Sequence, residues 1–345
     1  MLELWSPGGA FEQIEEYLRE RGFFAPGGER LVADLFLGYG LSEPLRRSAA
    51  RAPLEPCRLP LAAVSVRETP RVSSAGRVQI GRWQRSWTDD EYRAAVDEVR
   101  AAIERGDVYQ VNLVQHLSAE FEGDPHALAA GLAGFKPLAP ILAGDGWAIV
   151  SASPELFLAR RGSRVWTMPI KGTRPLGEHV EGAKDEAEHV MIVDLERNDL
   201  SRVCEPGTVH WPELMVEREL AGVTHLVSRV EGRLRHDVTL AGLLAATFPG
   251  GSVTGAPKLA ALDEIARLEP VGRGASMGAL GTVRGNGDLE LALTIRTFAV
   301  VDGRIHLWVG GGIVWDSDPH EEIEESWTKA RPLLAAVGAP LEVSA

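Results

Sequence analysis

The sequence predicts an α+β fold in which amphipathic helices pack on antiparallel β-sheet, and two observations carry the prediction. Short apolar runs follow one another with tight turns between them, as where residues 161–163 connect the runs 157–159 and 165–169. Tight turns join antiparallel neighbours, whereas parallel strands need a long crossover. Between such runs lie longer stretches whose apolar residues recur at helical spacing, most clearly at residues 88–106.

Composition and charge narrow the classes of function. With 345 residues, of which 45% are apolar and 25% charged, the chain can bury a substantial core. The formal charge of −13 argues against a nucleic-acid partner, because no basic face is available to neutralise phosphates. The two cysteines, Cys57 and Cys204, have no metal or redox spacing. Because the sequence shows neither a signal peptide nor an apolar run of membrane-spanning length, we expect a cytoplasmic protein without a membrane partner.

Two regions are expected along the chain. Residues 1–82 form a short N-terminal region that packs with the main domain of residues 83–340. The predicted elements of the first region are a helix with an apolar face from Phe11 to Leu18, a strand at residues 31–37 and a connector at residues 46–60. The sequence indicates no internal repeat, so the main domain is read element by element.

The main domain begins with its clearest helix. Thr88 and Glu91 have the spacing of a capping box, which fixes the start of this helix. The strand-like run 107–113 follows, with Gln110 and Asn112 on one of its faces. The pattern alone leaves open whether this polar face meets solvent or lines a site.

A lysine stands at the end of a later strand. Residues 164–168 lead into Lys171 and Gly172, and the glycine lets a ligand approach the backbone closely. Glu155, sixteen residues before Lys171, follows an earlier apolar strand. We expect Glu155 and Lys171 to meet across neighbouring strands, although a surface lysine would give the same local pattern.

Two predicted helices each carry an acidic pair. Asp185 and Glu188 lie three residues apart, and Glu322 and Glu325 repeat that spacing near the C-terminus, with Lys329 on the same face. Each face alone is typical of a solvated surface. If the two faces oppose each other, their oxygens suit Mg²⁺, which takes one or two protein carboxylates and leaves other positions to water and substrate.

The last third of the chain predicts a glycine-rich loop and three strands. The loop at residues 248–258 lacks the lysine and hydroxyl pattern of a phosphate loop, so we exclude nucleotide binding there. Amides at the start of the helix that follows still suit a carboxylate. The predicted strands, joined by hairpin turns, are residues 280–284, 289–301 and 304–312.

Six sequence blocks, in order along the chain, resemble those of the chorismate-utilising enzymes. The blocks are PIKGTRPLG, DLERNDLSRV, THLVS, FPGGSVTGAPK, LTIRT and GGGIVWDSDPHEEIEESWTKA, and they span about residues 85–335. The family includes anthranilate synthase component I, aminodeoxychorismate synthase component I, and isochorismate and salicylate synthases. The resemblance implies a two-lobed α+β fold, with large antiparallel sheets packed between flanking helices, and a chorismate-binding catalytic domain at residues 83–340.

Two positions indicate which branch of the family the chain resembles. Lys171 stands where anthranilate synthases usually carry the alanine of PIAGT, as it does in aminodeoxychorismate synthases. Gln110 stands where the water-using isochorismate and salicylate synthases carry a lysine base. A lysine must be neutral to attack, and we expect burial in an apolar pocket to lower its pKa. The resemblance therefore implies an ammonia-using aminodeoxychorismate synthase component I that serves p-aminobenzoate and folate synthesis.

The resemblance also implies roles for individual residues. Lys171 attacks ring C2 of chorismate while Glu155 protonates the departing C4 hydroxyl, and ammonia then adds at C4 and expels the lysine. The implied cofactor is Mg²⁺, held directly by Glu188 and Glu325 with Asp185 and Glu322 in support. The implied substrate-binding residues are Gly172, Thr173, His225, Ser252, Thr254, Gly255, Ala256, Arg296, Gly312 and Lys329. Ammonia is expected from a separate glutamine amidotransferase subunit.

Alternatives to this interpretation stay open. One is an anthranilate-type or specialised aminochorismate synthase, with the same fold and a different product. Another is a non-catalytic homologue that binds or scaffolds, although a scaffold has no use for Glu155, Lys171, Glu188 and Glu325 together. Lys171 also has an electrostatic alternative, in which its charge only neutralises nearby carboxylates.

Overall fold

The computed structural model describes residues 1–49, 51–67, 76–175, 183–220, 223–339 and 343–344. Its helices are α1 Ala10–Glu20, α2 Asp89–Glu104, α3 Pro125–Gly131, α4 Ala183–Ser201, α5 Leu240–Thr247, α6 Lys258–Leu268 and α7 Pro319–Ala336. Its strands are β1 Leu2–Leu4, β2 Val32–Leu37, β3 Ala62–Arg67, β4 Val78–Ile80, β5 Trp83–Arg85, β6 Gln110–Gly123, β7 Ile141–Ala143, β8 Trp147–Ser151, β9 Leu156–Arg161, β10 Arg164–Met168, β11 Ile170–Pro175, β12 His210–Leu220, β13 Val223–Arg233, β14 Gly255–Ala256, β15 Ala279–Arg284, β16 Leu289–Leu293, β17 Thr297–Val301, β18 Arg304–Ile313 and β19 Val343–Ser344.

These strands form two large sheets. The first sheet has the order β1-β3-β2-β15-β16-β9-β10-β13-β11, and β12 also pairs with β13. The second sheet has the order β19-β5-β6-β18-β17-β8-β7, and β4 and β14 also pair with β6. Neighbouring strands pair antiparallel throughout the described ranges, except that the short β19 runs parallel to β5. The predicted α+β class with large antiparallel sheets is confirmed.

Two hydrophobic clusters bury opposite faces of the second sheet. Along β17, Phe298 belongs to a cluster that includes Leu333 of α7, whereas the next residue, Ala299, belongs to a larger cluster shared with the first sheet. Successive strand residues point to opposite faces, so β17 is covered on both sides. Helix α7 therefore packs on the outer face, and the space between the sheets forms the main core.

The N-terminal region contributes directly to the first sheet. Strand β2 pairs with both β3 and the late strand β15, so residues 32–37 lie between residues 62–67 and residues 279–284. Strands β4 and β5, on either side of residue 82, both pair with β6. The domain boundary at residue 82 stays a prediction.

Helix α2 begins as its sequence predicts. Thr88 accepts a hydrogen bond from the backbone amide of Glu91, and the Glu91 carboxylate accepts one from the backbone amide of Thr88. These bonds satisfy amides that have no partner within the helix. The predicted capping box is confirmed, and it could be predicted because its residues lie within four consecutive positions of the sequence.

One prediction about the strands needs correction, one is confirmed, and one long strand was missed. The predicted strand 289–301 is two strands in different sheets, β16 and β17, because the chain turns at Arg296, whose φ is 50°. Strands β9 and β10, on either side of the turn at residues 161–163, are antiparallel neighbours, as predicted. Strand β12 was not predicted, because its mixed apolar and charged residues show no clear alternation.

The apolar spacing of the sequence predicts a helix at residues 187–195, whereas α4 begins at Ala183 and continues through Arg197, Asn198 and Asp199 to Ser201. In the part of the chain that the structure describes, none of the helices combines the length and the apolar character needed to cross a membrane.

Candidate active site

The site is built around an ion pair between β11 and α4. The Nζ atom of Lys171 lies 2.7 Å from Oε1 of Glu188, and both side chains are about 15% exposed. Lys171 pairs with Leu226 of β13, and the ladder shifts register immediately after it. Gly172 lies within this irregularity with a φ of 61°, a conformation that favours glycine. The glycine after the lysine thus allows the strand to bulge at the site.

The expected lowering of the pKa of Lys171 is wrong for this structure. Burial does act against the charge of the ammonium group, but the carboxylates of Glu188, Glu155 and Glu325 outweigh it, and the pKa of Lys171 is raised. The reasoning from sequence counted the apolar surroundings of Lys171 and omitted the carboxylates that the fold brings to it. In this geometry the lysine is a protonated partner of Glu188.

Glu155 lies in the turn before β9 and is 6% exposed. Its Oε1 accepts a hydrogen bond from Ser252 Oγ at 3.2 Å and one from the backbone amide of Ile170 at 3.5 Å. Burial raises the pKa of Glu155, although Lys171 and these hydrogen bonds act in the opposite direction. A carboxyl group with a raised pKa beside a cation can hold a proton and release it to a leaving group.

Glu155 and Lys171 therefore interact at the end of the paired strands β9 and β10, as the sequence predicted. The backbone of Ile170, next to Lys171, contacts the Glu155 carboxylate directly. Met168 of β10 pairs with Leu156 of β9, so Ile170, which follows Met168, lies beside Glu155, which precedes Leu156. The proximity follows from the pairing of β9 with β10, the two strands that the turn at residues 161–163 connects.

Glycines of β18 let carboxylates converge from two helices. A Cβ atom on Gly311 would lie 3.3 Å from Glu325 Oε1 and 3.4 Å from both Glu322 Oε2 and Lys329 Nζ. A Cβ atom on the next residue, Gly312, would lie 2.9 Å from Glu188 Oε1. The carboxylates of α4 and α7 thus approach adjacent residues of one strand, and the charge of Glu325 acts on the pKa of Glu188. Lys329 also donates a hydrogen bond to the carbonyl of Gly310 at 2.9 Å.

This donor set is compatible with a hard divalent cation. Glu188 and Glu325 supply two carboxylates, and Mg²⁺ can complete its coordination with water and substrate oxygens. Within the described ranges, no three histidine, cysteine or acidic side chains are grouped closely enough to hold a metal by themselves. The side chain of Asp185, expected in support, lies outside the described residues, as does that of Thr173.

Gln110 connects the second sheet to the ion pair. Its Nε2 donates to Glu188 Oε1 at 2.9 Å, and its side chain is fully buried. Glu188 thus accepts hydrogen bonds from Lys171 in the first sheet and from Gln110 in the second. The strand face that carries Gln110 and Asn112 is buried and does not meet solvent. Gln110 was singled out in the sequence as a family marker, but not as a residue of the site.

The remaining predicted substrate-binding residues border the same region. His225 Nδ1 donates to the carbonyl of Gly172 at 2.8 Å, and burial lowers the pKa of His225, which favours the neutral ring. Ser252 contacts Glu155, as described above, and Gly255 and Ala256 pair with Val111 and Gln110 of β6. Burial lowers the pKa of Arg296 while Glu155 acts to raise it, so this arginine lies near the acid.

The structure adds residues that the sequence did not point to. Tyr39 donates from its hydroxyl to Thr254 Oγ1 at 3.2 Å, and Thr254 donates to the carbonyl of Gly250 at 2.9 Å. Glu196 of α4 accepts a hydrogen bond from Thr167, and burial raises the pKa of Glu196 to about 8. No local pattern marks Tyr39, which is 215 residues from its partner. Glu196 lies within a conspicuous block, but only burial distinguishes it from a surface glutamate.

The fold and this site place the chain among enzymes that bind chorismate. The sequence model of the chorismate binding enzyme family matches residues 37–335, and the chain belongs to this family. A search of solved structures finds anthranilate synthase component I from Streptococcus pneumoniae TIGR4, with a TM-score of 0.77 and 26% identity over 92% of this chain and 84% of that one. The isochorismate synthase MenF from Escherichia coli has a TM-score of 0.75 at 19% identity, with 98% of this chain and 84% of that chain covered, which shows a shared fold.

Curated relatives carry two different names at similar identity. Aminodeoxychorismate synthase component 1 from Klebsiella aerogenes is 40% identical over 73% of this chain and 59% of its own length. Anthranilate synthase component 1 from Thermus thermophilus is 41% identical over 74% of this chain and 58% of its own length. Anthranilate synthase component 1 from Streptomyces coelicolor is 38% identical over 85% of this chain and 59% of its own length. The chain spans about three fifths of the length of these relatives, and identity alone does not separate the two activities.

Proposed function

We propose that the chain is the chorismate-aminating component of an aminodeoxychorismate synthase. In this reaction chorismate and ammonia give 4-amino-4-deoxychorismate and water. The observation that carries the proposal is a lysine, Lys171, near the start of β11 beside a buried acid, Glu155, in a member of the chorismate-binding family. The arrangement provides a nucleophile and a proton donor in one cleft.

The proposed chemistry uses these two side chains in sequence. The neutral amine of Lys171 forms a bond to ring C2 as the double bond shifts and the C4 hydroxyl departs with the proton of Glu155. Ammonia then bonds to C4, the double bond shifts back, and the C2–N bond to Lys171 breaks with its electron pair returning to the lysine amine. The new C4 ammonium group gives one proton back to Glu155, which restores the acid. The Lys171 ammonium must first lose its proton, because it is paired with Glu188 in this structure. Ser252 and the amide of Ile170 hold the Glu155 carboxyl group in place.

Magnesium is the proposed cofactor. Glu188 and Glu325 would hold it directly, with Glu322 and Asp185 in support, and the ion would supply positive charge to the ring carboxylate of chorismate. Arg296, Lys329 and the backbone at Gly312 are proposed to bind the enolpyruvyl carboxylate. His225, Thr254, Gly255 and Ala256 are proposed to border the ring.

The competing activity is that of an anthranilate synthase, in which ammonia adds at C2. Relatives with that name are as similar to this chain as the aminodeoxychorismate synthases are. The lysine at position 171 favours amination at C4, because a nucleophile bonded to C2 blocks that carbon and activates C4. Gln110 favours ammonia over water as the incoming nucleophile, because an amide is not a base that can deprotonate water.

We propose that a separate glutamine amidotransferase supplies the ammonia. The relatives are named component 1, which implies a second component in those proteins. Cys204, which is buried in a turn after α4, has a pKa raised by burial to about 11 and is therefore unsuited to act as a glutaminase nucleophile. Ammonium salts alone should support turnover, and glutamine should do so after the partner is added. The proposed product would feed p-aminobenzoate and folate synthesis.

Substitution of the lysine tests the proposal. In Lys171→Ala, formation of 4-amino-4-deoxychorismate should cease, because the route to C4 is lost. If Lys171 acted only through its charge, the same product would form about 10–100-fold more slowly. The assay is chromatographic and mass-spectrometric identification of products from chorismate, Mg²⁺ and ammonium, together with intact-protein mass measurement during turnover of the wild-type chain.

The product of the variant carries further information. Because Lys171→Ala recreates the sequence PIAGT, we expect any residual product to be aminated at C2. Undiminished formation of the C4 amine by the variant would refute the covalent role. Exclusive C2 amination by the wild-type chain would instead favour the anthranilate synthase alternative.

The metal assignment has its own test. Glu188→Gln or Glu325→Gln should abolish turnover while the fold, monitored by circular dichroism, is retained, because each change removes charge from a hard-cation site. Glu290→Gln, at a half-buried glutamate on β16 that pairs with Arg161 away from the site, is the matched control and should keep wild-type turnover. Wild-type turnover that persists in excess chelator would show that the reaction does not need a divalent cation.

A further inference from the structure

A chain of buried hydrogen bonds joins the second sheet to helix α7. The Nε2 atom of Gln115, on β6, donates to Ser326 Oγ at 2.5 Å, and Ser326 donates to the backbone carbonyl of Ile323 at 2.7 Å. Gln115 and Ser326 are each only 1% exposed. Neither side chain belongs to the proposed catalytic, substrate-binding or metal-binding groups. The contact between them therefore needs a separate explanation, because polar groups are costly to bury.

The direction of each hydrogen bond in this chain is fixed. Arg85 Nη2, at the end of β5, donates to Gln115 Oε1 at 2.8 Å. Because an arginine side chain has only donors, the amide of Gln115 must turn its oxygen to Arg85 and its NH₂ group to Ser326. Arg85 is itself held by Asp89 of α2, 2.5 Å away, and its guanidinium lies 5.2 Å from the centre of the Trp327 ring. Side chains from β5, β6 and α2 thus determine where the hydroxyl group of Ser326 can lie.

The other buried residues of α7 define its position on the sheet less sharply. They are mainly apolar, and include Ile323, Ala330, Leu333 and Leu334. Burial of apolar surface is non-directional, whereas a hydrogen bond weakens steeply when its distance or angle leaves a narrow range. A single buried polar contact can fix the register of packed helices for this reason. The contact between Gln115 and Ser326 is of this kind.

Ser326 lies beside the residues of α7 that reach the candidate active site. Glu325 precedes it, Lys329 follows three residues later, and both approach the position that a Cβ atom on Gly311 would occupy. Gln115 lies two residues beyond the β6 partner of Gly311, so both positions are on the face of the sheet that α7 covers. Sliding α7 by one residue would move its side chains by about 1.5 Å, whereas a functional site is held within about 0.5 Å.

We propose that Gln115 and Ser326 are positioning residues, which set the register of α7 on the second sheet and so hold Glu325 and Lys329 beside Gly311. The position of α7 is a property of the chain alone. The consequence for a metal rests on the proposed function, in which Glu325 is a ligand of Mg²⁺. An apolar pair in place of Gln115 and Ser326 would fill the same space, so we expect the polar contact to matter for position more than for stability.

Metal affinity in three variants tests the proposal. Mn²⁺, which favours the same oxygen ligands as Mg²⁺, is titrated into the full chain and its binding is followed by electron paramagnetic resonance. Gln115→Leu, Ser326→Ala and the double variant should each weaken Mn²⁺ binding by about tenfold, as is typical when a residue that orients a metal ligand is lost. The loss should be the same in all three, because Gln115 acts through Ser326.

Stability should follow a different order in these variants. Ser326→Ala leaves the buried amide of Gln115 without its acceptor, so its urea midpoint should fall. The double variant removes both partners, so its midpoint should recover in part while its Mn²⁺ affinity stays low. An affinity that recovered together with the midpoint would overturn the proposal. Ser118→Ala, which removes a hydrogen bond from Arg304 to the same strand, is the control and should keep the wild-type affinity.

A crystal structure of the double variant gives a readout that needs no metal. Helix α7 should be displaced relative to β18, and the hydrogen bond from Lys329 to the carbonyl of Gly310, 2.9 Å in the wild type, should lengthen or break. If the wild-type chain bound no Mn²⁺, the metal assignment of the proposed function would fail, and this structure would decide the role of the contact by itself. An unchanged position of α7, or wild-type Mn²⁺ affinity in all three variants, would overturn the proposal.

Discussion

The three consecutive glycines of β18 provide a graded test of how the site is built. Gly310, Gly311 and Gly312 pair in register with Val114, Leu113 and Asn112 of β6. A methyl group added at Gly310 would meet rigid backbone, and one added at Gly311 would meet the ends of flexible side chains. A methyl group added at Gly312 would meet the side-chain amide of a buried glutamine. The same substitution, glycine to alanine, therefore separates an effect on folding from an effect on the site.

Gly312→Ala is the informative change. Its Cβ would lie 1.8 Å from Gln110 Nε2 and 2.9 Å from Glu188 Oε1, so the Gln110 side chain must move and its hydrogen bond to Glu188 must break. Overpacking of this kind costs about 1–3 kcal/mol of stability. We expect the variant to fold with reduced stability and to lose most of its turnover.

The same substitution at the two neighbouring glycines should cost more stability at Gly310 and less at Gly311 than at Gly312. At Gly310 the new Cβ would lie 1.8 Å from the carbonyl oxygen of Leu113, which is held in the sheet, so Gly310→Ala should cost about 3 kcal/mol or more. At Gly311 the closest atoms, 3.3–3.4 Å away, are the ends of side chains that can shift. Gly311→Ala also restricts the unfolded chain, so its free energy of unfolding should stay within about 1 kcal/mol of the wild type.

The assay combines urea unfolding, followed by circular dichroism, with steady-state turnover of chorismate and ammonium. The order of stability should be Gly311→Ala, then Gly312→Ala, then Gly310→Ala, and at equal folded fraction Gly312→Ala should have lower turnover than Gly311→Ala. The reasoning is refuted if Gly312→Ala keeps wild-type turnover, since the Gln110–Glu188 contact would then be dispensable.

Two further predictions concern buried groups whose pKa values the fold displaces. Burial lowers the pKa of His116 to about 3 and that of His306 to about 4, from 6.5, so their contribution to stability is present above pH 6.5 and is lost as the pH falls toward those values. The urea midpoint should therefore drop between about pH 7 and pH 5, and less steeply in His306→Asn; an identical drop would count against this assignment. Burial raises the pKa of Glu196 to about 8 from 4.5, so the stability of the neutral form is lost as the pH rises through that interval. Glu196→Gln should raise the urea midpoint at about pH 8 relative to the wild type, and a midpoint that instead falls would show that the carboxyl group is needed in its ionised form.

The sequence predicted the features that depend on neighbouring residues. The capping box of α2 and the antiparallel hairpins follow from spacings of a few residues, and the structure contains them. Both acidic pairs were placed on helices, and the two helices do approach the same strand. The resemblance to the chorismate-utilising enzymes indicated that these separate segments contribute to one site, which the residue patterns alone did not indicate.

What the sequence could not provide depends on contacts between distant segments. The pKa of Lys171 is raised because the fold brings three carboxylates to it, whereas its own neighbours in sequence are apolar or neutral. The apolar run at residues 289–301 has the pattern of a single strand. The structure divides it at Arg296, because the residues on the two sides of Arg296 belong to different sheets. The hydroxyl of Tyr39 contacts Thr254, and the carboxylate of Glu55 accepts a hydrogen bond from the amide of Gly274. Each pair is separated by more than 200 residues, a distance over which no sequence periodicity is informative.

The position of Glu188 explains why this site needs both sheets. Its carboxylate accepts from Lys171 in the first sheet and from Gln110 in the second, while its own helix, α4, packs on β11 and β13. A buried ion pair is weak evidence for stabilisation, because removing two charges from water offsets their attraction. An apolar pair of similar size would fill the same space at less cost. The retention of a lysine, a glutamate and a glutamine at the point where the sheets meet is therefore better explained by chemistry on a charged substrate than by the stability of the fold.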